Sequence, residues 1–247
     1  ILTGHHGQFD AVPLLFVVWA IVVLENTKRR RAANQITAFV LLTTALLFKQ
    51  SILFQVFTVF LAFHKNRFVG IVLTIFSVIF LGLSFVPFLP DAMTVITSTA
   101  NQYAGIVGVY GVSYAATLVC GQCMFPIFGM TFWALFRNVF AAFTGLFALV
   151  ARNKDIARSC LIVTLFFFTF TTGIAPQYFM YPLVFGVLYP SKWFVLFSFV
   201  TGVFLTGHWD ELQYVPFQVV NYTTVWITVV LWFLAELGRM FPGIHKF

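Results

Sequence analysis

The sequence predicts an all-α fold, a multi-pass transmembrane helical bundle of about nine passes, several of them short or broken. Three observations predict it: charge is scarce, apolar runs are long, and basic residues recur in every second loop. Of the 247 residues, 61% are hydrophobic and 9% charged, against roughly 25% charged in soluble domains. Mean hydropathy is +0.96. A single protein core stops growing near roughly 250–300 residues, so protein burial alone does not absorb 34 phenylalanines. The lipid bilayer is the expected second solvent.

Apolar runs occupy about residues 11–24, 36–48, 51–63, 68–89, 129–151, 159–175, 178–190, 193–207 and 216–235. They are apolar on all sides, so length and loop charge assign them rather than helical periodicity. A span needs about 20 apolar residues. Runs 36–48 and 51–63 hold only about 13 each, roughly 20 Å at about 1.5 Å per residue. Neither crosses comfortably alone, and a paired arrangement lining a polar cavity relieves the shortfall.

The net charge of +7 does not form the stripe that nucleic acid would require. Its basic residues cluster at 28–31, 65–67, 152–158, 192 and near the C-terminus, which the positive-inside bias makes cytoplasmic. Only Lys49 and Arg137 fall elsewhere. The chain is expected to form a single transmembrane domain over residues 1–247, reading as a piece of a longer protein. Cys120 and Cys123 have no second pair with which to build a tetrahedral zinc site.

The opposite, outer loops collect most acids and histidines, and chemistry is expected there. His5, His6 and Asp10 crowd the start of the first helix, either as a polar wall donating to phosphate oxygens or as a helix cap with interfacial anchors. Lys49, followed by Gln50, stands at the apex of two apolar helices. Its ammonium costs about 2.5–3.5 kcal/mol there unless it faces water or a partner; a lipid phosphate would compensate it, as would snorkelling to headgroups. Arg137 lies within the fifth run, where its fork suits two phosphate oxygens or a structural ion pair.

Thr172-Gly173-Ile174-Ala175-Pro176-Gln177-Tyr178 interrupts an apolar stretch. Proline stops the helix and frees backbone groups, so Gln177 and Tyr178 are expected to line the cavity near a sugar, unless the segment is a bare turn. The stretch 103–111 has glycines but neither a Walker lysine nor a preceding strand. It is expected to be a flexible lid. The cluster His208, Trp209, Asp210 and Glu211 reads as a solvated outer loop with an interfacial tryptophan. Asn221-Tyr222-Thr223 matches a glycosylation acceptor but opens a membrane pass, which argues against that use.

His6-Gly7-Gln8-Phe9-Asp10 at the outer start of a helix, Lys49 after a second helix, the stretch 103–111, and Ala175-Pro176-Gln177-Tyr178 occur in an order that resembles the GT-C superfamily of integral-membrane glycosyltransferases. The order is that of its bacterial members, which favours a bacterial inner membrane over the endoplasmic reticulum. The resemblance implies inverting transfer of a hexose from a polyprenyl-phosphate-linked sugar on the periplasmic or lumenal side, helped by basic groups or a divalent metal. It also implies a catalytic carboxylate in a first outer loop upstream of Ile1, so that the catalytic residue is expected outside these residues and the fragment alone is expected to be inactive. A polytopic transporter or lipid flippase is the alternative, since broken helices and buried charges also mark translocation paths.

Overall fold

The structure is a computed structural model that describes residues 11–26, 31–88, 91, 106–107, 110–120, 129–153, 155–207 and 221–241. Helix accounts for 86% of them, which makes the protein all-α. The described helices are α1 (Ala11–Glu25), α2 (Arg31–Phe48), α3 (Leu53–Phe63), α4 (Arg67–Ser84), α5 (Gly111–Cys120), α6 (Gly129–Val150), α7 (Ile156–Phe170), α8 (Met180–Gly186), α9 (Lys192–Gly207) and α10 (Tyr222–Met240). Two dipeptides, β1 (Ile106–Val107) and β2 (Gly173–Ile174), pair antiparallel with Ile106 opposite Ile174 and Val107 opposite Gly173. Each apolar run of the sequence holds a helix, and α5 lies outside them all.

Two of these helices, α4 and α10, are long and apolar enough to cross a membrane. Only 17% of the apolar window in α4 and 33% of that in α10 is buried, whereas the core helix of a soluble protein is mostly covered. The chain divides into two compact units, residues 1–100 with 145–163, and residues 101–144 with 164–247.

In the first unit α1 packs on α2, and α4 packs on both α2 and α3. Helix α4 is arranged inside out. Its buried residues are Gly70, Thr74 and Ser77, while Phe68, Ile75, Phe76, Ile79, Phe80 and Leu83 are exposed. Small residues at helical spacing let backbones approach, and a Cβ on Gly70 would stand 3.0 Å from the carbonyl carbon and oxygen of Phe60. The hydroxyls of Thr43 and Ser77 share a buried hydrogen bond of 2.9 Å between α2 and α4. Thr74 spends its hydroxyl within its own helix, donating to the Gly70 carbonyl at 2.9 Å.

The second unit is held by aromatic rings. Phe179 meets Tyr110, Phe168, Phe197 and Phe204 at centroid distances of 5.9, 6.3, 6.3 and 5.8 Å. Trp232 of α10 is wholly buried and lies 5.6 Å from Phe197 and 5.8 Å from Phe194. Gly186 closes α8 against the Trp232 and Phe194 rings, where a Cβ would overlap both. Asn221 begins α10 by accepting from the backbone N–H of Thr224 at 3.0 Å. The side chain of the glycosylation-like tripeptide is therefore a helix cap.

Replacing Gly70 by leucine should cost about 1–3 kcal/mol, the usual range for overpacking, because the clash is with the Phe60 backbone rather than a movable side chain. Replacing exposed Phe76 by leucine should cost far less. Thermal unfolding midpoints of the two variants in detergent check the contrast.

Candidate functional site

The sequence marks two polar interruptions, and the structure describes one in each unit. In the first unit α2 stops at Phe48, and Lys49 adopts an extended conformation, φ −157° and ψ 121°, ahead of the tight turn Gln50–Ile52 that leads into α3. Its N–H still donates to the Ala45 carbonyl at 3.1 Å, and its carbonyl accepts from the Ile52 N–H at 3.2 Å. The helix pair therefore reverses at Lys49 without leaving these two groups of its backbone unbonded. Lys49 is half-buried and Gln50 is exposed.

In the second unit the interruption is longer. Helix α7 ends at Phe170, β2 follows, and Pro176–Phe179 forms a tight turn with proline in its first position before α8. A helix end leaves carbonyls without intrahelical donors, and each such group buried unpaired costs several kcal/mol in an apolar medium. Several carbonyls at this break have identified donors. The Trp226 indole N–H donates to the Thr169 carbonyl at 2.9 Å. The Val112 N–H donates to the Thr171 carbonyl at 3.0 Å, the Thr171 hydroxyl to the Gly173 carbonyl at 3.0 Å, and the Ser113 hydroxyl to the Thr172 carbonyl. The β1–β2 pairing joins Gly173 and Ile174 to Ile106 and Val107.

At its described residues the stretch expected to be a flexible lid is held in place. Within the stretch 103–111, residues 106 and 107 are paired, Tyr110 is buried, and Gly111 sits in the left-handed region at φ +68° against the Thr171 carbonyl. Unpaired carbonyls at the α7 end draw this segment in, and the segment continues as α5, with buried Ser113 in its first turn. Sequence reasoning missed Gly111 and Ser113. The one available signal was a glycine placed directly ahead of a short helix-compatible stretch.

The broken segment presents polar groups at its turn. Gln177 and Tyr178 are both half-buried, and the Tyr178 ring stands edge-on to Tyr181 at 5.7 Å. An amide and an aromatic face in this setting suit a sugar hydroxyl and a pyranose ring. Behind them, Tyr110 packs on Phe179 and its hydroxyl has no hydrogen-bond partner among the described residues. Burial pushes its phenol well above the ordinary value of 10.0.

Lys49 and Gln50 belong to the first unit, Gln177 and Tyr178 to the second. His5, His6 and Asp10 lie outside the described residues, as do the cluster 208–211 and the side chain of Arg137, whose backbone is part of α6. Among the described residues no three His, Cys, Asp or Glu side chains converge to hold a metal ion. A further pair escaped the sequence reading: Glu236 of α10, 2% exposed, accepts from the Arg239 guanidinium one turn on. A buried acid of this kind is normally paired, and i,i+3 spacing from Arg239 was the legible sign.

Gly111→Ala should destabilise the fold by at least about 1–2 kcal/mol from the left-handed backbone alone, with the overlap on the Thr171 carbonyl added. Ser113→Ala should cost about 1–3 kcal/mol by orphaning the Thr172 carbonyl. Both are read from unfolding midpoints. Because the Tyr110 phenol is raised in the folded state, the unfolded chain releases this proton first as pH climbs. Wild-type stability should therefore fall relative to Tyr110→Phe as pH rises above about 10, and the two should run parallel below that pH. Comparison with known protein families, with curated proteins and with solved structures finds no match to this chain.

Proposed function

We propose that the chain is an integral-membrane portion of an inverting glycosyltransferase that takes a hexose from a polyprenyl-phosphate-linked sugar on the periplasmic or lumenal face. The membrane part of this reading is supported by the two long, sparsely buried apolar helices and by the inside-out α4. It extends to about nine passes, in which the shorter apolar helices cross in company and the break at 171–179 lines a cavity. Basic residues 65–67 and 152–158 then face the cytoplasm.

The observation that carries the chemical reading is Lys49, a half-buried lysine at the reversal between two apolar helices. In the membrane such a charge marks an anion or a water-filled cavity. A lipid phosphate leaving group supplies that anion, and its developing charge is stabilised by a fixed cation more in the transition state than in the ground state. Gln177 and Tyr178 supply the polar and aromatic surface for the sugar. Arg137, His5, His6, Asp10 and Gln50 are assigned to the phosphate and the polar wall.

The test uses the full-length protein in its own membranes with a radiolabelled polyprenyl-phosphate hexose. Lys49→Met should cut transfer on the order of 10²-fold or more, the typical loss for removing one charge-stabilising donor, at unchanged protein level. Gln177→Ala should raise KM for the donor more than it lowers kcat. Normal turnover by Lys49→Met would refute the assignment. Vesicle uptake or lipid translocation without sugar transfer would favour the transporter or flippase.

A further inference from the structure

We propose that the cytoplasmic end of the α3–α4 hairpin is a binding site for an anionic glycerophospholipid, separate from the proposed sugar-lipid site and resting on the reading of α4 as a membrane span. The first unit carries an open apolar groove of about 330 Å³ between α3 and α4, floored by α6. Phe54 and Phe57 form one wall, Ile71, Ile75 and Ile79 the other, and Gly145 the floor. Thr74, the single polar residue on the lining, has its hydroxyl committed to the Gly70 carbonyl and so adds no polar demand. A groove of this composition within a hydrocarbon layer takes a hydrocarbon chain and has nothing to offer a polar ligand.

What stands at the mouth selects the headgroup. Arg67 precedes Ile71 by four residues on α4 and thus lies on the same stripe, one turn nearer the helix start. It is exposed, as is Lys65. Arg152, seven residues beyond Gly145 on the segment that leaves α6, donates from its guanidinium to the Lys65 carbonyl at 3.2 Å. That bond brings a cation from a distant part of the chain to the Lys65–Arg67 corner. Asp155, the acid of the same loop, is turned to the start of α7, where it accepts from the Arg158 N–H at 3.0 Å. The Arg152 guanidinium and the exposed residues Lys65 and Arg67 thus share one corner of the first unit, one helical turn from Ile71 of the groove. Basic pockets between membrane helices on the cytoplasmic side recognise anionic lipid headgroups, and the adjoining groove accepts one acyl chain.

Gly145 controls the floor. A Cβ there would meet only the Phe57 ring at 3.9 Å, an ordinary contact, so alanine fits and leucine projects into the groove. The full chain is first tested for resistance to alkaline carbonate extraction from cell membranes; release into the soluble fraction would overturn the membrane reading and this site with it. Protein that stays in the membrane is purified in mild detergent, and bound lipid is counted by native mass spectrometry against phosphatidylglycerol and phosphatidylcholine of matched chains. Phosphatidylglycerol should be retained on the order of tenfold better. The triple variant Lys65→Gln, Arg67→Gln, Arg152→Gln should lose that preference but still retain lipid. Gly145→Leu should lose both lipids, while Gly145→Ala behaves as wild type. Equal retention of the two lipids by the wild-type chain, or an undiminished preference in the triple variant, would overturn the lipid site and leave the sugar-transfer reading standing.

Discussion

The carbonyls released where α7 stops are the constraint on which the second unit depends. A helix that ends among buried apolar side chains leaves carbonyls that call for donors from elsewhere in the chain. The chain answers with an indole from α10, a backbone N–H and a hydroxyl from the start of α5, a threonine hydroxyl bonding two residues ahead, and a dipeptide strand. All but the threonine come from other elements, so the break gathers α5 and α10 around itself. Phe179, the residue that closes the tight turn, then becomes the hub of the aromatic packing. The same turn leaves Gln177 and Tyr178 half-buried at its surface, which is how a solution to a backbone problem also presents functional groups.

The first unit solves a different problem. Under the membrane reading proposed above, large side chains gain nothing by facing inward, because lipid tails serve them as well. Helix α4 accordingly buries glycine, threonine and serine and turns its phenylalanines and isoleucines outward. Contact is made by close backbone approach at Gly70 and by one shared hydrogen bond, Thr43 with Ser77. Lys49 at the α2–α3 reversal keeps its backbone bonded on both sides, so the half-buried lysine is held on an ordered joint rather than on a floppy loop.

Much of this was legible in the residues. Apolar runs located nine of the ten described helices. Boundaries moved where local bonds intervened: α2 begins several residues before its apolar run, with the Asn34 amide donating to the Asn26 carbonyl at 2.8 Å, and α10 continues to Met240 because Glu236 neutralises Arg239. Helix α5 was not legible, since its position follows from the needs of carbonyls some sixty residues away. The candidate residues Lys49, Gln177 and Tyr178 stood out as polar interruptions of apolar sequence. Tyr110, Gly111 and Ser113 did not, because their roles arise only when β1 meets β2.

Ser113 and Thr172 are separated by 59 positions, and that separation sets an order on biosynthesis. At roughly 5–20 residues per second, on the order of several seconds pass between emergence of the hydroxyl and of the carbonyl that it serves. Through that interval α5 has no α7 terminus to dock on, and when α7 arrives its broken end is sealed only if the earlier segment is still at hand. Folding of this half of the protein is thereby ordered in time: the early segment has to stay open for a partner that has not yet been translated.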